Sequence, residues 1–237
     1  MPPDSSFKWL KGGVTAPAGF SASGTKAGIK HDKKDLALIV ADRPCAAAGV
    51  FALNAVKAAP VLLCRERLRK CPQARAIVVN SGNANACTGP RGRADAEATA
   101  AAAAAALAIG TEQVLVCSTG TIGIPLPLAK IKAGLPAAAA ALSRAGGGEA
   151  ARAIMTTDTV PKQAAVRLRI GGREVTLGAM AKGAGTIAPN MATLLGFLPT
   201  DAAVGSGALR AALSSAVSKS FNRILVDGDQ STNDTVL

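Results

Sequence analysis

Apolar residues gather in short, compact runs along this chain, and most of those runs are closed by a polar or glycine-rich loop. "DLALIVAD" (35–42) suits a buried strand. "CAAAGVFALN" (45–54) follows the turn signal Arg43-Pro44, which predicts an antiparallel partner for the first run. "ARAIVVN" (74–80) and "EQVLVCS" (112–118) repeat one pattern, a buried strand opening into a long polar loop. "QAAVRLRI-GG-REVTLGAM" (163–180) alternates on both sides of Gly171-Gly172 and predicts a hairpin.

Helical segments lie between these runs. "APVLLCRERLRKC" (59–71) begins extended and becomes helical, and Asp95 and Glu97 open an alanine-rich helix that Gly110 can end. Further helices are expected near 128–143 and 207–220. The first thirty residues read as a loop lead-in, "AGGGE" (145–149) as a flexible joint, and "RILVDGD" (223–229) as a strand with an acidic turn after it. Strand pairs mixed with layered helices, without strict βαβ alternation, predict an α+β sandwich. No fixed-period repeat or linker divides the chain, so residues 1–237 are expected to form one domain.

Composition narrows the chemistry. Hydrophobic residues make up 49% of the 237, but aromatics only 3%, so the core must be built from small and branched aliphatic side chains. The net charge of +12 raises the question of nucleic acid, yet Lys and Arg are dispersed and broken by acids, as in "KHDKKD" and "CRERLRKC". With no Tyr and one Trp, stacking platforms are scarce, and a positive field that gathers small acidic molecules fits as well. Five cysteines form no CxxC pair and His31 is the sole histidine, which argues against a zinc cluster and for reduced thiols. The longest apolar stretch, "ATAAAAAAALAIG" (98–110), is too short and too weakly hydrophobic to span a bilayer, so no membrane association is expected. A bacterial cytoplasm or an organelle stroma or matrix fits these features.

Neither a dinucleotide nor a P-loop fingerprint is present, and a Ser-His-Asp triad would rest on His31, which sits between Lys30 and Asp32. Three polar loops remain as candidates: "NSGNANACTG", "STGTIG" and "KGAGTIAPNMAT". Each alone is explained by turns and helix caps. Together, in a chain with one histidine, they suggest a site built from hydroxyls and backbone amides. A threonine acts without histidine when it stands at a chain terminus, because its own α-amine then serves as base. Thr193 follows the small residue Ala192, and its hydroxyl could attack the Ala192 carbonyl and release such a terminus.

"KGAGTIAPNMATLLGF" (182–197) resembles the self-cleavage motif of the ornithine acetyltransferase/glutamate N-acetyltransferase family of arginine biosynthesis. "GGVTAPAGF", "DLALIVAD", "AIVVNSGNANACTG", "STGTIG", "IMTTDTVPK" and "SFNRILVDGDQSTNDT" match the family pattern in order. The resemblance implies a layered αββα sandwich of the N-terminal nucleophile (DmpA/ornithine acetyltransferase-like) kind. It implies cleavage between Ala192 and Thr193, with 1–192 as an α segment and 193–237 as the start of a β segment. Thr193 would be the nucleophile, Thr119 and Gly120 would supply oxyanion donors, and Thr156 and Lys182 would contact substrate together with Thr193. Thr157 competes with Thr156 for that role, and Cys87 is a rival nucleophile whose place in "NANACTG" argues for structure.

The implied reaction is a ping-pong transfer of acetyl from N2-acetyl-L-ornithine to L-glutamate through an acetyl-threonine. No metal or tightly held cofactor is implied, although some family members also take acetyl from acetyl-CoA and so act as amino-acid N-acetyltransferases. A heterotetramer of two α and two β chains is the expected assembly. Family members continue well past the point where this chain ends, so the sandwich is expected to be incomplete at its C-terminal side. An amidase or aminopeptidase with the same threonine logic, passing the acyl group to water, is the alternative.

Overall fold

The lead-in is not a loop. In the computed structural model, which describes residues 7–185 and 194–237, it supplies two strands, β1 (Phe7–Leu10) and β2 (Phe20–Thr25). β2 pairs antiparallel with β3 (Leu36–Ala46), Phe20 opposite Ala41 and Thr25 opposite Leu36. Its "FSASGT" sequence hides the strand because its residues are small for packing reasons given below.

β3 also departs from expectation. It does not turn at Arg43-Pro44 to pair with residues 45–54; it runs on to Ala46, and its register against the next strand shifts between Val40 and Cys45. Proline is tolerated at such a bulge because the ladder there lacks a regular donor. Only Val50–Phe51 of the expected second strand is extended, and this short β4 belongs to the other sheet.

After β4 come α1 (Ala59–Lys70), helical from its first residue with Pro60 in the opening turn, and β5 (Gln73–Asn83). α2 (Gly89–Leu107) begins a turn and a half before Asp95 and ends on Ala108 in a left-handed conformation. β6 (Val114–Thr121) lies parallel to β5. The order β2-β3-β5-β6 completes a four-stranded sheet. α3 (Leu128–Ala140) then packs with α1 and α2 on one face of it, over Leu36, Leu38, Val78, Val114 and Val116.

The "AGGGE" joint is instead the start of a buried helix, α4 (Gly147–Ala153). Side chains on Gly24 or Gly146 would overlap backbone, the Glu149 carbonyl in the first case and the Ala22 carbonyl in the second. The glycines there allow a helix to lie directly on a strand. The predicted hairpin forms as β7 (Lys162–Ile170) and β8 (Arg173–Lys182), with Ile170 opposite Arg173 and both turn glycines at positive φ.

β9 (Leu195–Phe197), α5 (Ser206–Lys219) and β10 (Thr235–Val236) complete the described elements. "RILVDGD" is not a strand: a short 3-10 turn over Phe221–Arg223 leads into irregular backbone in which Ile224, Leu225 and Val226 are exposed. The second sheet runs β1-β7-β8-β9-β10-β4. Its inner face, through Met180, Leu195 and Phe197, meets Ala37, Ile39, Val79 and Cys117 of the four-stranded sheet, and α4 shares that core. α5 covers the outer face through Leu213 and Val217 against Leu194 and Val236. The layers are therefore α, β, β, α, the sandwich that the motifs imply. Among the described residues, no helix is long and apolar enough to cross a membrane.

Gly24→Ala tests the contact between α4 and β2. Backbone atoms on both sides leave no flexible side chain to yield, so a loss of about 1–3 kcal/mol in stability is expected, read from urea unfolding midpoints. A midpoint equal to that of the parent would mean that the helix does not sit on the strand.

Candidate active site

β5 and β6 form the longer of two parallel pairs among the described residues, and loops leaving the carboxyl ends of parallel strands commonly build sites. Two of the three loops singled out in the sequence leave from there. Most of their asparagines serve structure. Asn80 accepts from Ser118 Oγ (2.6 Å) and donates to the Asn83 carbonyl (2.8 Å), while Asn83 donates to the Ile124 and Pro125 carbonyls (3.1 and 3.2 Å). Buried amides of this kind fix backbone that no strand ladder satisfies. Cys87 lies exposed in this turn at φ +57°.

What this scaffold fixes is Thr119 and Gly120. Thr119 is buried, and Gly120, at φ +134°, abuts Gly82 so closely that a Cβ would overlap the Gly82 carbonyl carbon. Only glycine meets both demands. From the opposite sheet, Lys182 Nζ at the end of β8 donates to Thr119 Oγ1 at 3.2 Å. A hydroxyl that accepts from an ammonium keeps its own proton to donate. Burial lowers the Lys182 pKa, and Asp158 and Asp234 act against that shift.

Both carboxylates were passed over in the sequence. Asp158 accepts from the Gly183 amide (2.8 Å), the Thr156 amide (3.2 Å) and Lys162 Nζ. Burial pushes its pKa up, but the Lys162 ammonium and the two amides outweigh this and hold it below the ordinary value. It ties the 155–158 loop to the end of β8 and thereby places Thr156, which is half-buried, whereas Thr157 is exposed. Asp234 is buried just before β10 and accepts the Leu194 amide at 2.8 Å. Burial raises it to about 7, against the opposing pull of the Leu194 amide, the Ser231 hydroxyl and Lys182. Asn233 beside it donates to the Ala84 and Ser118 carbonyls (2.6 and 2.8 Å), which stitches this segment onto both loops.

The structure thus brings Thr119, Gly120 and Lys182 together, with Thr156 joined to them through Asp158. Ala192 and Thr193 lie outside the described residues. The peptide that follows them in the chain is described from Leu194, whose amide Asp234 holds. Among the described residues no cluster of His, Cys, Asp and Glu has the makings of a metal site. A cavity of about 920 Å³ lies at the other end of the four-stranded sheet, lined by Ile39, Arg43, Arg75, Leu115 and Leu198, and takes no part in this cluster.

Asp234 makes stability depend on pH with a definite sign. A carboxyl raised from 3.8 to about 7 by folding disfavours the folded state increasingly as pH climbs between those values, by up to about 4 kcal/mol. Asp234→Asn keeps an acceptor for Leu194 and removes the charge. The variant should therefore gain stability relative to the parent between pH 5 and pH 8, measured by urea unfolding; an equal difference at both values would contradict the assignment.

Comparison with known proteins shows the family and the fold. Residues 21–237 match the ArgJ family. The chain is 61% identical over 234 residues to the arginine biosynthesis bifunctional protein ArgJ of Symbiobacterium thermophilum, and 52% identical over 228 residues to that of Caldanaerobacter subterraneus subsp. tengcongensis. These alignments take in 98% and 96% of this chain but 58% and 56% of the relatives, so the chain spans just over half their length. Among solved structures, ArgJ from Bacillus halodurans superposes with a TM-score of 0.74 at 41% identity. An ornithine acetyltransferase from Mycobacterium tuberculosis, solved with ornithine, gives 0.72 at 50%. In both, 78% of this chain covers 98% of the solved chain.

Proposed function

The chain belongs to the ArgJ family, and from that premise we propose that it carries the self-cleaving threonine site of an acetyltransferase in arginine biosynthesis. The observation that carries the reading is the Lys182 Nζ–Thr119 Oγ1 bond, which joins residues named from separate motifs on separate sheets.

In this reading the Thr193 hydroxyl attacks the Ala192 carbonyl, the amide becomes an ester, and water releases residue 193 with a free α-amine. That amine accepts the hydroxyl proton when Thr193 attacks the acetyl carbonyl of N2-acetyl-L-ornithine. The Thr119 hydroxyl and the Gly120 amide receive the oxyanion, and the proton passes to the departing ornithine nitrogen. The α-amine of L-glutamate then attacks the acetyl-threonine ester, forming N-acetyl-L-glutamate and restoring the hydroxyl. Lys182 and Thr156 hold the amino-acid portion of each substrate. Acetyl-CoA is a further donor in this proposal, and two α and two β chains are the proposed assembly.

Incubation with N-acetyl-L-ornithine and L-glutamate tests the reaction: N-acetyl-L-glutamate as product is the expected result, whereas acetate alone would make the protein an amidase. Thr193→Ala should remain one chain on a denaturing gel while the parent yields two. Thr119→Ala should cleave or fold as the parent does yet slow transfer by about 10²–10³-fold, the usual effect of losing one oxyanion donor.

A further inference from the structure

Asp35 organises the turn between β2 and β3, which packs Ala27 and Ile29 against the core and carries Lys30 beyond it. Fully buried, its carboxylate accepts three backbone amides, those of Ala27 and Ile29 (2.6 Å each) and Lys30 (2.9 Å). Its own carbonyl accepts the Ser81 amide at 2.9 Å, which locks the turn to the carboxyl end of β5. The turn delivers Lys30 across the site. The Lys30 stem lies over Gly82, where a Cβ would come within 2.8 Å of Lys30 Cγ, and Gly82 is the residue that abuts Gly120. Lys30 Nζ donates to the Met155 carbonyl at 2.9 Å, one residue before Thr156.

Lys30 and Lys182 therefore flank the 155–158 loop, Lys30 through Met155 and Lys182 through the Gly183–Asp158 bond beside it. Burial lowers the Lys30 pKa; Lys33 and Lys182 add to the shift, and Asp35 and Asp158 oppose it. Both carboxylates are already engaged, Asp35 by three amides and Asp158 by Lys162 and two amides. An ammonium has three donors, and Met155 takes one of those on Lys30. A half-buried ammonium, Lys30, and a buried one, Lys182, on either side of one loop are satisfied together most favourably by an anion that both can reach.

We propose that Lys30 is a substrate-binding residue, which with Lys182 receives the α-carboxylate common to N-acetyl-L-ornithine and L-glutamate. The inference rests on the acetyltransferase reading of the site and adds to it a residue from a separate part of the chain.

Calorimetric binding of L-glutamate, and of its α-amide, to the parent, Lys30→Met, Lys30→Arg and Lys182→Met provides the test. Lys30→Met should weaken L-glutamate about tenfold, and Lys30→Arg by no more than about threefold, because the charge is what matters. Lys30→Met should also bind the α-amide as the parent does, an equality that a merely structural lysine would not produce. If Lys30→Met binds L-glutamate like the parent while Lys182→Met does not, the role of Lys30 is overturned and the site reading stands. If the parent binds neither L-glutamate nor N-acetyl-L-ornithine at millimolar concentration, both fall together. Equal losses for L-glutamate and its α-amide in Lys30→Met would reduce Lys30 to a strut for Met155.

Discussion

The distance between the two sheets is the constraint on which everything else rests. Lys182 belongs to one sheet and Thr119 to the other, and their 3.2 Å bond exists only because Met180, Leu195 and Phe197 pack against Ala37, Ile39, Val79 and Cys117. Facing sheets normally lie about 10 Å apart, close enough for a lysine to reach across and for few intervening side chains to fit. A core whose one fully buried ring is Phe197 suits this, and alanine and glycine at Ala22, Gly24 and Ala150 let α4 settle onto β2. Interiors packed this closely transmit small changes in side-chain volume. A substitution in the shared core would therefore be felt at the lysine even though it touches no polar group.

The low dielectric of that interface sorts the charges. Two carboxylates lie within electrostatic reach of Lys182, and they differ in their hydrogen bonds rather than in kind. Asp158 has an ammonium and two amides and stays ionised; Asp234 has the Leu194 amide, the Ser231 hydroxyl and a more distant Lys182, and burial prevails. Pairs of like groups driven to opposite protonation states by their surroundings are a recurrent way of obtaining a fixed charge and a titrating group near neutral pH. Here the fixed charge ties the 155–158 loop to β8, and the titrating group sits on the backbone that follows Thr193 in the chain.

The same physics decides what could be read beforehand. β3, β5 and β6 are covered on both faces, so they appear as unbroken apolar runs, and the β7–β8 hairpin was announced by two glycines with no side chain to forbid positive φ. β2 was invisible because its residues are chosen for closeness to α4 and not for strand propensity. β4, β9 and β10 have two or three residues each, and neighbouring strands, not local sequence, make them strands. Arg43-Pro44 signals a turn locally, but a bulge accommodates it. Within the candidate site, Thr119, Gly120, Thr156 and Lys182 were named by motif likeness. Asp158 and Asp234 were not, since a carboxylate's importance here lies in its burial and its amides, neither of which a linear pattern records.

The proposed transfer reaction imposes one further demand. An ester of threonine is attacked by water as well as by an amine, so transfer exceeds hydrolysis only where an amine is held in place and water is kept from the ester. In the proposed reaction, cations that grip the carboxylate of the acceptor would place its amine without touching it, and the threonine that offers its hydroxyl to the oxyanion is buried while Gly120 beside it is exposed. Holding a common amino-acid group while leaving the side chain unread would also allow one pocket, in the proposed reaction, to release ornithine and then admit glutamate. Selectivity between acyl transfer and hydrolysis would then depend on how firmly the carboxylate is gripped, and not on the reactivity of the threonine itself.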